Sequence, residues 1–301
     1  MSELPLVSVT IPCRNELNYI GKCLDSLVNC DYDKNRLKIF VCDGMSDDGT
    51  RDEIEKFAAN HAFIELIDNT HRTTPQALNL GLRKEGYDIR FILGAHSTVD
   101  KQYISNSVRC FDKDPDIGCV GGIIENAYED RISEYIGAAM SSPFGVGNAH
   151  FRTGSQSRFV DTVAFGAYKK EVFDKVGFFD ETLVRNQDDE FNYRLLRGGF
   201  KIWLDAGIHS KYYVRASRKK LFKQYYQYGY WKVFVNKKFK RITTVRQLVP
   251  MLFVAYLVIG WIPALWTCPW WYIFAFGMAV YFLINKKNPF RSISTIRFFK
   301  I

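Results

Sequence analysis

Acidic residues stop at Asp205. The 96 residues that follow contain no Asp or Glu and 17 Lys or Arg, whereas the first 205 contain 24 basic and 32 acidic residues. A chain so divided has two zones in different surroundings, and its net charge of +9 is not the signature of a uniform basic protein. Within the acid-free zone, Gln247 to Asn285 is a run of 39 uncharged positions. One spanning helix takes about 20 apolar residues, so the run predicts a membrane hairpin over 247–285 that turns near Thr267-Cys-Pro-Trp270. Lys237, Lys238, Lys240, Arg241 and Arg246 precede it and Lys286, Lys287, Arg291, Arg297 and Lys300 follow it. Positive charge on both flanks places both in the cytoplasm and faces them toward anionic lipid. A re-entrant hairpin dipping into one leaflet and a buried pair of core helices share this pattern.

Upstream, Ser217 to Lys232 mixes cations with aromatics, and Leu221, Tyr225, Tyr228, Lys232 and Val235 fall on one helical face. Tyr and Trp favour the boundary between water and lipid, so 216–246 is expected to be a basic amphipathic interfacial segment and 286–301 a basic cytoplasmic tail. A surface helix packed on the preceding domain is the alternative. The N-terminus lacks the basic and apolar stretches of a secretory signal. Seven cysteines without a CxxC pair favour buried reduced thiols over a zinc or disulfide framework.

At 47% hydrophobic the chain can bury a sizeable core. Residues 1–215 read as its α/β domain. Apolar β-type runs occur at Leu6 to Ile11, Leu37 to Cys42, Phe63 to Ile67 and Ile89 to Leu93, with a weaker one at Ile117 to Val120. Helix-start chemistry lies between them: Asn15 as a cap for a helix to about Val28, a Thr50/Glu53 capping box, Thr74 before Pro75, and Asp100. Strands alternating with helices predict a parallel sheet with helices on both faces. Ligands of such sheets bind beyond the carboxyl ends of the strands, where Cys13-Arg-Asn-Glu16, Asp43 to Thr50 and Gly94-Ala-His96 fall.

No GxGxxG follows the first strand and no GxxxxGK[ST] occurs, which removes the main support for a dinucleotide dehydrogenase or a P-loop NTPase. The loop Asp43 to Thr50 is not an EF-hand, because aligning Gly49 with that loop's glycine puts Gly44 at the first ligand position. Carboxylates there suit the N–H and O–H donors of a base and ribose; an Asp/Gly/Ser-rich loop is also a common turn.

Three segments in order, Val7-Ser-Val-Thr-Ile-Pro-Cys-Arg-Asn-Glu16, Val41-Cys-Asp-Gly-Met-Ser-Asp-Asp-Gly-Thr50 and Arg72-Thr-Thr-Pro-Gln-Ala-Leu-Asn-Leu-Gly81, resemble the N-terminal half of family 2 glycosyltransferases of the GT-A fold. Asn186-Gln-Asp-Asp-Glu-Phe-Asn-Tyr-Arg-Leu195 resembles the family's acidic motif, and Gln224 to Trp231 its Gln-aromatic-Trp segment. Membrane-associated exopolysaccharide enzymes of the succinoglycan type share the Ser142 to Gly147 stretch and a hydrophobic C-terminus. The resemblance implies a nucleotide-sugar pocket lined by Pro12, Arg14, Glu16, Asp43, Asp48 and Arg72, with Asp188 as catalytic base beside Asp189 and Glu190. It places Gln224 and Trp231 at the acceptor or interface. An inverting transfer needs one carboxylate to take the acceptor proton; an acidic first turn also stabilises a helix N-terminus.

The sequence departs from the family at its metal motif, where Gly94-Ala95-His96 stands in place of Asp-x-Asp or Asp-Ala-His. His96 alone suits Mn²⁺ better than Mg²⁺, and His209 is either a second ligand or a loop histidine. The departure leaves a weaker divalent-cation site, leaving-group stabilisation by Arg or Lys, or a catalytically dead relative. The expectation is an inverting transfer from a nucleotide-diphosphate sugar to a lipid-linked or growing glycan at the cytoplasmic face of the cell membrane. Its rivals are a non-catalytic nucleotide-sugar or glycan-binding relative and a nucleic-acid binder using the basic aromatic segment; the adjoining uncharged run argues against nucleic acid.

Overall fold

A computed structural model describes residues 3–141, 150–214, 217–240, 249–259, 262 and 268–286. The Ser142 to Gly147 stretch, Arg241, Arg246 and the 287–301 part of the expected tail lie outside the described residues. The chain forms two compact units, one over Met1–Gly137 and Ala149–Val235, the other over Ala138–Asn148 and Asn236–Ile301.

The first unit is built on strands β1 (Val7–Cys13), β2 (Leu37–Asp43), β3 (Ile64–Asp68), β4 (Ile89–Ile92), β5 (Ser97–Val99), β6 (Ile117–Ala127), β7 (Arg158–Val160), β8 (Ala167–Lys169) and β9 (Lys201–Tyr213). They form one sheet in the order β3-β2-β1-β4-β8-β6-β9-β5, with β7 also paired to β9. The expected parallel arrangement holds for β3, β2, β1 and β4 and for β6 with β9. It gives way to antiparallel pairing at β4/β8, β6/β8, β5/β9 and β7/β9. The strands that create this mixture, β5, β7 and β8, are three residues each, too short to leave a periodic signature.

Helices α1 (Leu17–Val28), α2 (Thr50–Asn60), α3 (Thr74–Leu82), α4 (Tyr103–Cys110), α5 (Arg131–Ser141), α6 (His150–Thr153), α7 (Lys170–Val176) and α8 (Gln187–Arg197) accompany the sheet. Val7, Val9 and Ile11 of β1 share a buried cluster with Ile20, Leu24 and Leu27 of α1. Leu78 and Leu82 of α3 share another with Phe173, Phe191 and Leu195, in which Phe179 stacks on Phe191 at 4.4 Å.

Four expected caps shift by a residue or two. Asn15 is left-handed (φ 54°) and α1 is entered from Glu16. Gly49 (φ 93°) caps α2, so Thr50 is its first residue and makes no capping box. Thr73 rather than Thr74 precedes α3, and α4 begins at Tyr103, whose N–H donates to Asp100 O at 2.9 Å. The physical reason is common to Asn15 and Thr50: their side chains bond across to neighbouring loops instead of to their own helix.

Helix α9 (Arg218–Phe239) follows β9. Its predicted amphipathic face is packed only in part: Val235 is fully buried and Lys232 nearly so, whereas Tyr225 and Tyr228 are 44% and 41% exposed. A different stripe, Phe222, Tyr226, Tyr230 and Val233, faces solvent, with Phe222 76% and Tyr226 66% exposed. In the second unit, α10 (Val249–Ile259) and α11 (Cys268–Lys286) are tied by the Tyr256 hydroxyl donating to Phe274 O at 2.8 Å and by stacking of the two rings. Among the described residues no helix is long and apolar enough to cross a membrane. The spanning hairpin expected over 247–285 is therefore not seen in them. The 11 residues of α10 cover about 16 Å, against a hydrocarbon core of about 30 Å.

Candidate active site

The parallel register sets Cys13 beside Asp43 and Asp43 beside Asp68, so the loops after β1, β2 and β3 emerge level at one sheet edge. Asn15, Met45 and Arg72 in these loops are all left-handed. The Asn15 amide N–H donates to Ser46 Oγ at 2.8 Å and its Nδ2 to Asp47 Oδ1 at 2.9 Å. Glu16 N–H donates to Thr50 Oγ1 at 2.9 Å and Leu17 N–H to Asp48 Oδ2 at 3.3 Å, stitching the first loop to the second. Burial alone would raise the Asp48 carboxyl, but bonds from the Thr50 hydroxyl, the Thr50 amide and the Leu17 amide outweigh it and hold the group below the usual carboxylate range.

Asp43 is fully buried. It accepts from Ser46 N–H at 2.9 Å, from the Ser46 hydroxyl and from Arg51 Nη1 at 3.0 Å, while Arg51 Nη2 reaches Asp68 Oδ1 at 2.8 Å. Here Asp43 organises its loop, and contact with a base would exchange one of these bonds. Pro12 is half-buried opposite Cys42, and the exposed Arg14 lays its stem over Gly44, where a Cβ would meet its Cδ at 3.1 Å. Arg72 is exposed, with its N–H donating to Asn69 O at 3.1 Å. Beside it the buried Asn69 Oδ1 and Thr73 Oγ1 have no hydrogen-bond partner. Sequence reasoning missed Arg51, Asp68 and Asn69; the usable signal was their position at the carboxyl ends of β2 and β3.

His96 follows β4, its Nδ1 3.5 Å from Glu16 Oε1 and its ring 4.7 Å from that of Tyr212. At Gly94 a Cβ would meet the Phe165 ring at 3.0 Å, with Phe165 itself left-handed (φ 52°) and its carbonyl held by the Tyr103 hydroxyl at 2.7 Å. An acidic side chain at 94 would have to displace that ring. His209 is no second ligand: the antiparallel β5/β9 register sets it four strand positions from the residue opposite His96, about 13 Å away, and its Nδ1 lies 3.3 Å from Glu125 Oε1. Among the described residues no group of three or more His, Cys, Asp or Glu could hold a metal ion. The described side chains therefore do not by themselves make up a divalent-cation site.

The acidic motif opens α8. Asn186, left-handed (φ 60°), turns the chain into the helix and its Nδ2 donates to Tyr228 O of α9 at 2.8 Å. The motif's three acids have different surroundings. Glu190 is fully buried and paired with Arg194 through bonds of 2.9 and 2.8 Å. Asp189 Oδ2 accepts from Lys232 Nζ at 3.2 Å. The Asp188 side chain is exposed although protein packs closely around it. That enclosure, followed by the charge of Asp189, pushes its carboxyl up to about 6 against backbone amides and Lys232, which pull it down. Tyr168 of β8 and Tyr228 of α9 lie within range of its charge. Gln224 Nε2 donates to the Tyr228 hydroxyl at 2.7 Å, whereas Trp231 packs its ring on Phe234 at 5.3 Å. The motifs thus form two clusters, the stitched loops and the acidic turn around Asp188. Tyr212 stands between them, touching His96 and acting electrostatically on Tyr228.

Known proteins resemble this chain. The chain is 34% identical over 230 residues to a dolichyl N-acetyl-alpha-D-glucosaminyl phosphate 3-beta-D-2,3-diacetamido-2,3-dideoxy-beta-D-glucuronosyltransferase of Methanococcus voltae, covering 74% of this chain and 71% of the relative. It is 26% identical over 297 residues to the succinoglycan biosynthesis protein ExoA of Rhizobium meliloti, covering 96% and 89%. Among solved structures, the mannosyltransferase PcManGT from Pyrobaculum calidifontis, in complex with GDP-Man and Mn²⁺, superposes with a TM-score of 0.65 at 19% identity over 98% of this chain and 84% of that one. S. aureus TarS 1-349 in complex with UDP-GlcNAc gives 0.57 at 16% identity over 70% and 59%, so the chain spans less than two thirds of that neighbour. These likenesses show a GT-A-like α/β fold. The model of the family described as glycosyl transferase family 2 matches residues 8–177. With more than half its length matched, and relatives that are named glycosyltransferases, the chain belongs to glycosyl transferase family 2 and is a glycosyltransferase.

Proposed function

We propose that residues 1–215 move one sugar, with inversion, from a nucleotide-diphosphate donor to a hydroxyl of a lipid-linked or growing glycan. Asp188 carries this reading. It is exposed to solvent with protein packed closely around it, and a carboxyl raised to about 6 is ionised at pH 7 yet basic enough to accept a proton. As the acceptor oxygen bonds to the anomeric carbon, its proton passes to Asp188. The bond from that carbon to the donor diphosphate breaks, and its electron pair leaves with the phosphate. Arg14, Glu16 and Arg72 border the loops where the nucleotide would lie, Asp43 and Asp48 hold those loops in shape, and Pro12 closes the end of β1. No step is assigned to a metal, for which His96 is the one candidate ligand.

The acceptor class rests on the relatives whose names place them on dolichyl-linked sugars and succinoglycan. A membrane surface is the natural home of such an acceptor. The outward Phe222, Tyr226, Tyr230 and Val233 stripe, within an acid-free segment, suits anionic lipid. Gln224 and Trp231 sit on the same helix, on the side toward the acceptor in this reading, and α10 and α11 would enter the bilayer without each having to span it. The test supplies UDP- and GDP-sugars with a polyprenyl-linked glycan acceptor and reads nucleotide release. Asp188→Asn abolishes release while donor binding by calorimetry persists; near-normal turnover in that variant overturns the base assignment.

A further inference from the structure

Three bonds fasten α9 to the residues around Asp188. Arg185 Nε donates to Gln227 Oε1 at 3.2 Å, Asn186 Nδ2 to Tyr228 O at 2.8 Å, and Lys232 Nζ to Asp189 Oδ2 at 3.2 Å. The last is a well-shielded ion pair, with side-chain exposures of 11% for Lys232 and 22% for Asp189. A solvated surface pair contributes little, but this one lies next to a carboxylate that must change its protonation state.

We propose that Lys232 is a positioning residue for the transfer reaction: held against Asp189 by α9, its ammonium offsets the charge of Asp189 beside Asp188 and so sets how readily Asp188 takes up and releases the proton. This rests on Asp188 being the base.

The geometry requires such a partner. Two carboxylates in consecutive positions repel, and each opposes ionisation of the other. Glu190, the third acid, is neutralised by Arg194 and takes no part. The groups facing Asp188 from other elements are Tyr168 of β8, Tyr228 and Lys232 of α9, and, through Tyr228, Arg185 and Tyr212. Among the described residues acting on it directly, Lys232 carries the positive charge, and it opposes the upward push from Asp189. Its removal makes Asp188 harder to ionise, so less of the free enzyme has its base ready at neutral pH; removal of the Asp189 charge does the reverse.

The test is the pH dependence of kcat/KM for the full chain in detergent, which reports the free enzyme's essential base. Lys232→Met moves the acid limb upward by about half to one pH unit, a roughly three- to tenfold loss below the limb that is recovered at alkaline pH. Lys232→Arg keeps the limb in place, and Asp189→Asn moves it down. The infrared band of the protonated Asp188 carboxyl, identified by its loss in Asp188→Asn, shifts its midpoint in the same directions without any acceptor present. If Lys232→Met fails to fold, the opposite shift in Asp189→Asn carries the test. A uniform loss at every pH, or limbs that stay still in both variants while Asp188→Asn is dead, overturns the role of Lys232 alone. Turnover surviving in Asp188→Asn removes the base reading itself.

Discussion

The loop after β2 and the first turn of α8 are both rich in Asp, and they put it to different uses. Asp43 and Asp48 spend their oxygens on donors from their own and the adjoining loop, Ser46, Arg51, Thr50 and Leu17. Asp188 has protein packed around it and a like charge beside it. The first arrangement holds the loops together and, at Asp48, lowers the free energy of the ionised carboxylate. The second raises it and leaves a group ready to exchange a proton. Residue type is shared; what differs is whether the neighbours are hydrogen-bond donors or another carboxylate.

The largest effect that tests this contrast is on turnover. Asp188→Asn should reduce kcat by about 10²–10⁴-fold in a nucleotide-release assay, with the donor dissociation constant little changed. Because its folded-state carboxyl is raised, ionised Asp188 costs stability that appears as pH climbs from the ordinary carboxylate value through about 6. The same variant should therefore gain thermal stability relative to wild type over that interval, and a constant difference across it would remove the contrast. Asp43→Ala leaves Ser46 and Arg51 without their buried acceptor and should cost about 2–3 kcal/mol, lowering the melting midpoint and weakening donor binding together. Binding lost without loss of stability would show that Asp43 serves the base directly.

Glu190→Gln, next in size, breaks a buried pair and should cost about 2 kcal/mol while leaving the pH limb of kcat/KM unmoved, which separates structural from chemical acids within one turn of helix. The smallest effect is at Thr50→Val, which removes the hydroxyl donor to Asp48. Asp48 has a depressed carboxyl, so its contribution is present above the ordinary carboxylate value and lost as pH falls through the folded one. The variant should show a shallower loss of stability on acidification, read by thermal melts below pH 5.

Much of this molecule can be read from its residues. The runs at Val7, Leu37, Ile64 and Ile89 read as strands because short stretches rich in Val, Ile, Leu and Phe are bounded by turn residues. Asp188 was singled out by the resemblance of Asn186 to Leu195 to the family's acidic motif, and its role as base is the proposal made above. Arg51 was not: its role depends on two carboxylates, at 43 and 68, that meet only when β2 and β3 align. Lys232 was assigned to a lipid-facing stripe because helical periodicity gives a face but not what covers it, and in the folded chain α8 covers it.

By itself the sequence determined the family, the α/β order of strands and helices, and the break in charge after Asp205, since each is a property of residue type and spacing. Only the tertiary structure decided that Asp43 is enclosed, that Phe165 fills the space beside Gly94, and that an ammonium from α9 meets the acidic turn of α8. Burial, steric exclusion and charge pairing depend on distances between residues far apart in the chain, and those distances exist only once the strands have registered and the helices have packed.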